Sequence, residues 1–299
     1  MRIDALKAAR FSAPALEIER KIKMKIAMTL LVRDEEDILR ENIKFHLAQG
    51  VDFIIATDNR STDSTKDILK EYETQGKLFY IYENRDNYNQ HAWVTKMARM
   101  AYLEHNANWV INNDADEFWW PKKGTLRDVF LSLPANANII KASRKNFLFR
   151  GDSAAISPFY NHMIYKELNS LNSLGKPLPG KVAHIGSDKV LVKQGNHGID
   201  GIGNQVILKD KIDILHFPIR TSKQFINKIK KGGEAYSNNQ ELGEAVGKTW
   251  RELYKQYQNT GNLNAYLEDQ TYSNNRLMEL EKKGHLVIDT RLKDFLGGL

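Results

Sequence analysis

Two acidic residues one position apart, Asp114 and Asp116, with Glu117 directly after them, stand out among the groups able to do chemistry. Carboxylates at that spacing can share a hard divalent cation, directly or through a water. The same pair also fits a strand-end turn with capping carboxylates. The aromatic run Phe118, Trp119 and Trp120 would shield such a site or pack beneath it. A second constellation runs from Asp58 through Asn59 and Arg60 to Asp63. A carboxylate there can accept hydrogen bonds from a base or a ribose, or simply stabilise a turn and cap the next helix. A third, Arg33-Asp34-Glu35-Glu36, would contact a nucleotide through backbone and one acid, or would be helix N-terminal acids favoured by the macrodipole. Arg220, Lys223, Lys228 and Lys230 are available to clamp phosphates, although lysines on a helix are usually solvated.

For these groups to meet, the elements that carry them must end on one side of the molecule. Lys25 to Val32 is a short apolar run closed by charge, which predicts a buried strand. Asp34 to Gln49 carries Ile38, Leu39, Ile43 and Leu47 at helical spacing and stops at Gly50; His46 on it is a packing residue. Val51 to Thr57 is a second strand. Ser64 and Asp67 have capping-box-like spacing and open a helix through about Thr74. Leu78 to Tyr82 is a third strand and Ala92 to His105 a helix. Gln90, His91 and Trp93 around its start cap, pack or touch a diphosphate. Trp109 to Asn112 is a fourth strand, reaching Asp114. This alternation predicts a parallel sheet covered on both faces. Ligands of such sheets bind outside the carboxyl ends of the strands, which places all three acidic clusters on one rim.

After Pro121 the rhythm changes. Leu126 to Leu133 is a short helix; Ile139 to Arg150, Lys189 to Lys193 and Ile212 to His216 read as strands. Residues 151–205 have weak periodicity, and long loops of this kind are often lids or binding loops. Phe225 to Gln240, Ala245 to Tyr257 and Tyr272 to Lys283 read as helices.

The chain has 299 residues, 41% hydrophobic and 27% charged, enough for one large α/β domain with appendages. There is no cysteine, which excludes disulfides and thiolate zinc sites and is compatible with a reducing compartment. No apolar stretch is long enough to predict a spanning helix, and Met1 to Lys25 lacks the apolar core of a signal peptide. That segment mixes Arg2, Lys7, Arg10, Arg20 and Lys21 with Ile3, Leu6, Phe11 and Leu16. It reads either as a solvated extension or as a peripheral helix on an anionic membrane. The net charge of +7 favours anionic partners such as nucleotide diphosphates, and no nucleic-acid module is seen.

The run LVRDEEDILRENIKFHLAQGVDFIIATDNRSTDSTKDIL from Leu31 to Leu69 resembles the nucleotide-binding half of family 2 glycosyltransferases. WVINNDADEFWW from Trp109 to Trp120 resembles the Asp-Ala-Asp-Glu-Phe segment of the family-2-like branch related to galactan-synthase-type enzymes. GNHG at Gly195 to Gly198 and HFPIRTSKQFINKIKKGG at His216 to Gly233 resemble its later motifs, so the likeness spans roughly residues 25–235. It implies an α/β chain of GT-A type: a doubly wound, mostly parallel sheet with an acceptor-side extension and C-terminal helices. The corresponding division is an extension over 1–24, a transferase domain over 25–235 and a helical segment over 236–299. Within the domain, 25–121 is the nucleotide-sugar half and 122–235 the acceptor-side half.

By the same resemblance Asp58 contacts the nucleobase, with Asn59, Arg60 and the Arg33, Asp34, Glu35 segment lining its pocket. Asp34 stands where many relatives have Asn. Asp114 lies near ribose or metal, Asp116 holds Mn2+ or Mg2+, and a late histidine, His197 or His216, completes the metal site. The implied reaction inverts the anomeric centre by one displacement. The metal, as Lewis acid, neutralises the leaving diphosphate. A carboxylate within about 3 Å of the acceptor hydroxyl takes its proton; Asp152, Asp188 and Asp200 are the candidates. A UDP-sugar donor is favoured, with a glycan or lipid-linked glycan acceptor, in bacterial surface polysaccharide synthesis on the cytoplasmic side. Two other readings compete: a nucleotidyltransferase, against which the acidic loop after the first strand counts, and a non-catalytic glycan binder on the same fold.

Overall fold

The computed structural model describes residues 24–152, 158–171, 176–243 and 246–299. Of the expected N-terminal extension, residues 1–23 lie outside the described residues. The first half alternates as its sequence predicts: β1 (Ile26–Val32), α1 (Leu39–Ala48), β2 (Phe53–Asp58), α2 (Thr65–Thr74), β3 (Leu78–Tyr82), α3 (Gln90–Leu103) and β4 (Trp109–Asp114). β1 shows why this half holds together. Alternate side chains point to opposite faces of a strand. Ile26, Met28, Leu30 and Val32 enter one core with Ile43 and Phe45 of α1 and Ile68 and Leu69 of α2. Ala27 enters a second core with Val94, Met97 and Ala98 of α3. A strand buried on both faces needs no polar alternation, so it reads as one apolar run.

The remainder comprises β5 (Glu117–Pro121), α4 (Leu126–Leu131), β6 (Ile139–Asn146), β7 (Tyr165–Glu167), β8 (Lys181–Ile185), β9 (Leu191–Val192), β10 (Ile199–Asp200), β11 (Ile207–Leu208) and β12 (Ile212–His216). It closes with α5 (Ser222–Asn238), α6 (Lys248–Thr260), α7 (Asn264–Asp269), α8 (Asn274–Lys282), β13 (Leu286–Ile288) and α9 (Arg291–Gly297). The main sheet has nine strands in the order β3-β2-β1-β4-β8-β6-β12-β5, with β11 paired to β6. β3, β2, β1 and β4 are mutually parallel. β8 is antiparallel to both β4 and β6, and β5 is antiparallel to β12.

Several elements depart from the sequence reading. The aromatic run after Asp116 is itself strand β5 rather than a shield. The expected loop before residue 189 contains β8, which joins the two halves of the sheet, whereas the strand expected at Lys189 to Lys193 shrinks to two residues. The helix after Ser64 is capped differently from the expected Ser64–Asp67 box: the Thr65 amide donates to Asp63 Oδ1 (2.9 Å) and the Ser64 amide to Glu36 Oε2 (2.9 Å). No described helix is long and apolar enough to cross a membrane.

Candidate active site

The chain leaves β1 towards β2 and β3 on one side and returns to β4 on the other. Such a reversal opens a crevice at the carboxyl ends of the two central strands. Leu31 pairs with Asp114 and Val32 with Asp58, so both acids flank the end of β1. From Asp114 the chain turns at once into β5, and α1 pins that turn. Asn42, fully buried, donates through Nδ2 to the carbonyls of Ala115 (2.9 Å) and Glu117 (2.8 Å) and accepts from Asn113 Nδ2 (3.1 Å). His46, one turn on, accepts from the Trp119 amide at Nε2 (3.3 Å) and donates from Nδ1 to the Asn42 carbonyl (2.8 Å). Across the turn stands β12, whose register places His216 against Glu117 on one side and Asn146 on the other.

A cavity of about 550 Å³ opens over this turn. Asp114, Asp116, His197 and His216 line it, together with Arg144, Lys181 and Lys228. The Asp116 carboxylate meets Lys228 Nζ at 2.6 Å and His216 Nε2 at 3.7 Å. Burial works against its charge, but the cations Lys228 and Arg220 outweigh burial and hold its pKa well below the ordinary value. Burial likewise opposes the charge on Lys228, yet Asp116 and Glu35 raise its pKa. Glu117 goes the other way: burial, only partly offset by Lys181, pushes it up to about 7. Adjacent carboxyls pushed apart in this manner are typical of functional sites.

Asp116, Glu117 and His216 bring one ligand atom each within 4.8 Å of one another, and the donor set fits a divalent cation. His216 Nδ1 donates to Asn146 Oδ1 (2.7 Å), which leaves the Nε2 lone pair towards Asp116. Burial, countered in part by Asp116, lowers the His216 pKa and keeps the ring neutral, the state a ligand needs. Among the described residues both Glu117 carboxylate oxygens are buried without a hydrogen-bond partner, with Lys181 (3.4 Å) and Arg144 (3.6 Å) near Oε1. Asp114 stands outside this cluster. It is paired with Lys181 and accepts from Asn196 Nδ2 (3.0 Å) and Gln90 Nε2 (3.3 Å). His197 lines the cavity but is not part of the three-residue cluster; its Nδ1 donates to the Gly180 carbonyl (3.0 Å).

On the β1–β2 rim, Arg33, Asp34, Glu35 and Asn59 line the same cavity. Asp34, at φ 53°, is held by Lys231, by Asn227 Nδ2 (3.0 Å) and by the Thr62 amide (2.7 Å). Glu35 joins Arg220 (2.5 Å) and Lys228 (3.5 Å), so α5 is tied to the β1–α1 loop by opposite charges. Asp58 is buried beneath the cavity surface, accepting from the Ser61 amide (2.9 Å) and the Tyr80 hydroxyl (3.1 Å). Asn59 donates to the carbonyls of Glu83 and Arg85, and its Oδ1 is buried with no partner. Arg60 and Arg33 both pair with Asp86, at 2.9 and 2.6 Å.

Asp152, Asp188 and Asp200 are exposed and do not line the cavity. Asp152 accepts from the Ser222 amide (2.7 Å) at the start of α5, and Asp200 pairs with Lys193 (3.1 Å). Of the four basic candidates, Lys228 enters the cavity and Arg220 is buried behind it. Lys230 instead lies over the Tyr257 ring, and Lys223 is exposed. Sequence reasoning missed Lys181 and Asn42. The short run KVAHI, with β-branched Val182 and Ile185, was a strand signal inside the supposed loop; Asn42, polar on the buried stripe of a helix, was a signal of internal hydrogen bonding.

No curated protein matches the chain. Similar solved structures include S. aureus TarS 1-349 in complex with UDP: 15% identity, 78% of this chain and 71% of that one, TM-score 0.42. Another is glucosyl-3-phosphoglycerate synthase from Mycobacterium tuberculosis with Mn2+, UDP and glucosyl-3-phosphoglycerate: 16% identity, 58% and 61% coverage, TM-score 0.32. A third is the mannosyltransferase PcManGT from Pyrobaculum calidifontis with GDP-Man and Mn2+: 15% identity, 43% and 41% coverage, TM-score 0.32. The model of one protein family, Glycosyltransferase family 92, matches residues 24–190, more than half of the chain and all of its acidic turn. This chain belongs to glycosyltransferase family 92.

Proposed function

We propose that this glycosyltransferase moves a sugar from a nucleoside diphosphate to a hydroxyl of a glycan, inverting the anomeric centre, on a GT-A type fold. The observation that carries the reading is the meeting of Asp116 and His216, on the wall of a cavity that Lys181, Lys228 and Arg144 also line, with Glu117 buried directly behind them. Acids to hold a cation and bases to hold phosphates are what a diphosphate leaving group requires. Mg2+ or Mn2+ bound at Asp116, Glu117 and His216 would supply Lewis-acid neutralisation of that group. Asn59 Oδ1 offers an acceptor to the edge of a base, and Asp34, Arg33 and Glu35 shape the pocket around it. Lys181 and Arg144 stand on the diphosphate's path. His197 is the proton acceptor we assign for the attacking hydroxyl. Its Nδ1–H is spent on Gly180, and burial with Lys181 and Arg144 lowers its pKa to about 4, which keeps it neutral. Diphosphate charge arriving beside it raises its basicity towards what proton transfer needs. Asp114 orients this wall through Lys181 and Asn196.

The test is thermal unfolding with UDP, GDP, CDP and dTDP, each with and without Mn2+, with UDP the favoured ligand. A nucleotide at about 100 times its Kd adds about 2.7 kcal/mol. In a chain of this size that moves Tm by about 4–5 °C. In Asp116→Asn the metal-dependent part of the shift disappears and turnover falls about 10²–10³-fold. A wild-type chain that no nucleotide stabilises would remove the transferase reading.

A further inference from the structure

Three glycines in the C-terminal part of the chain each lie against an aromatic ring. Gly232 and Gly233 are consecutive and buried in the middle of α5. Glycine inside a helix costs about 1 kcal/mol relative to alanine, so a buried pair needs a reason. The reason is space. A Cβ on Gly232 would stand 2.2 Å from Cζ3 of Trp250, and one on Gly233 would stand 2.2 Å from Cβ of Tyr254. α6 therefore rests directly on the α5 backbone. Gly247, at φ +70°, begins α6, and a Cβ there would come 2.6 Å from Cζ of Tyr236.

The result is a fixed aromatic wall. The Tyr88 ring lies 4.7 Å from Tyr236 and 6.1 Å from Trp250, and all three residues line the cavity. Lys228 joins this wall to the reacting centre: its Nζ is 2.6 Å from Asp116 and 5.9 Å from the Trp250 ring. Among the described residues, the three rings of the wall and the 246–250 segment beside them carry no carboxylate. Beside the wall stand Arg251, over the Tyr236 ring at 5.4 Å, and Gln194, whose Oε1 accepts from the His91 amide (3.0 Å) while its Nε2 makes only long contacts of 3.5 Å to the Tyr236 hydroxyl and the Tyr88 carbonyl, so that its N–H groups can turn to a hydroxyl. The unpaired Oδ1 of Asn59, suited to a base edge, belongs to the other, β2 side of the cavity.

We infer that the Tyr88–Tyr236–Trp250 wall is the acceptor subsite and that it takes a neutral sugar ring of an oligosaccharide. A pyranose has one face of C–H groups that packs on an aromatic plane, while its rim of hydroxyls reaches Gln194 and the charged turn. Rings held in place by packing lose little freedom on binding, which makes such a surface efficient. Two of the three rings, Tyr236 and Trp250, lie outside the family match over 24–190. The inference rests on the transferase reading for the name of the subsite.

The experiment is saturation-transfer NMR on the full chain, with and without UDP and Mn2+. The probes are short neutral oligosaccharides of β-linked galactose, β-linked glucose and α-linked glucose. At least one shows transfer to its ring protons in the wild type. Trp250→Leu, which still fills space against Gly232, weakens that oligosaccharide about tenfold or more, and Trp250→Phe recovers part of the loss. Tyr88→Leu, a substitution outside α6, repeats the effect. UDP affinity, by calorimetry, stays within about twofold in each variant. The inference is overturned if no probe contacts the wild type or if Trp250→Leu binds as the wild type does. A tenfold loss of UDP binding in the variants would also overturn it, because the rings would then belong to the nucleotide. If wild type binds no nucleotide, the transferase reading fails, while the nucleotide-free spectra still decide whether the wall holds a sugar.

Discussion

Residues 24–114 and residues 117–243 meet at the acidic turn but are built on different rules. In the first region each strand pairs in parallel with one that follows a covering helix, and the core forms from alternate faces of β1. In the second region β8 inserts antiparallel between β4 and β6, and β5 reaches its partner β12 only after some ninety intervening residues. The candidate site draws on both. Asp114 and the β1 rim come from the first region; His216, Lys181 and Lys228 come from the second. A site split in this way depends on how firmly the regions are fastened together.

The largest expected effect is at the main fastening. Arg220 is buried and donates to Asp37 Oδ2 (2.7 Å), Asp37 Oδ1 (2.8 Å), Glu35 Oε2 (2.5 Å) and the Phe217 carbonyl (3.0 Å). Removing one partner of a buried pair costs about 3–5 kcal/mol because the other charge stays behind unpaired. Arg220→Met should fall towards the lower end, since Asp37 is partly solvated and Lys228 still neighbours Glu35. Urea unfolding measures the loss. A change under about 1 kcal/mol would mean that the regions are held together elsewhere.

The same contrast decides what could be read in the sequence. β1, β2, β3 and β4 were legible because a parallel strand carries its own signature, a short apolar run closed by turn residues. The rim that collects Asp34, Glu35, Asn59 and Asp114 followed from the alternation alone. β5 was not legible: EFWWP after an Asp-x-Asp reads as packing, and what makes it a strand is a partner far along the chain. β8 was hidden for the same reason, and Lys181 with it. Lys228 was legible as a cation on a helix, but nothing local says that this lysine, rather than Lys223 or Lys230, faces the cavity. The family resemblance read from the motifs was to family 2 and galactan-synthase-type enzymes, while the model that matches is that of family 92. What the two have in common is the class, glycosyltransferase, which the match over residues 24–190 shows.

The next effect is at the joint between α1 and β5. Burial lowers the His46 pKa to about 4, against an ordinary 6.5. The folded chain therefore keeps His46 neutral where the unfolded chain has protonated it. Stability is fully present above pH 6.5 and is lost as pH falls through 4. A shift of this size corresponds to about 3 kcal/mol over that window. The structural cost is specific: a proton on Nε2 removes the acceptor of the Trp119 amide, so β5 loosens from α1. His46→Gln cannot titrate and should show a flatter dependence of unfolding free energy on pH between 6.5 and 4. An unchanged slope would assign acid sensitivity to His184 or His197, whose pKa values burial also lowers to about 4.

The smallest effect tests whether local rules still operate where long-range pairing dominates. α4 is only six residues long, yet it holds a complete capping box. Thr125 Oγ1 accepts from the Asp128 amide (3.2 Å), and Asp128 Oδ2 accepts from the Thr125 amide (2.9 Å). The helix matters beyond its length because Arg127 on it donates to the carbonyls of Met24 and Gly50, at 2.9 Å each, and pairs with Asp52 (2.5 Å). It thereby ties the entry of β1 to the segment that leaves β5. Thr125→Ala should cost about 1 kcal/mol, the usual worth of such a cap. Measured by urea unfolding, that loss should leave nucleotide binding unchanged, because α4 contributes nothing to the cavity. A loss of several kcal/mol would show instead that Arg127, once its helix frays, carries the junction, and that the two regions share a second fastening at the start of β1.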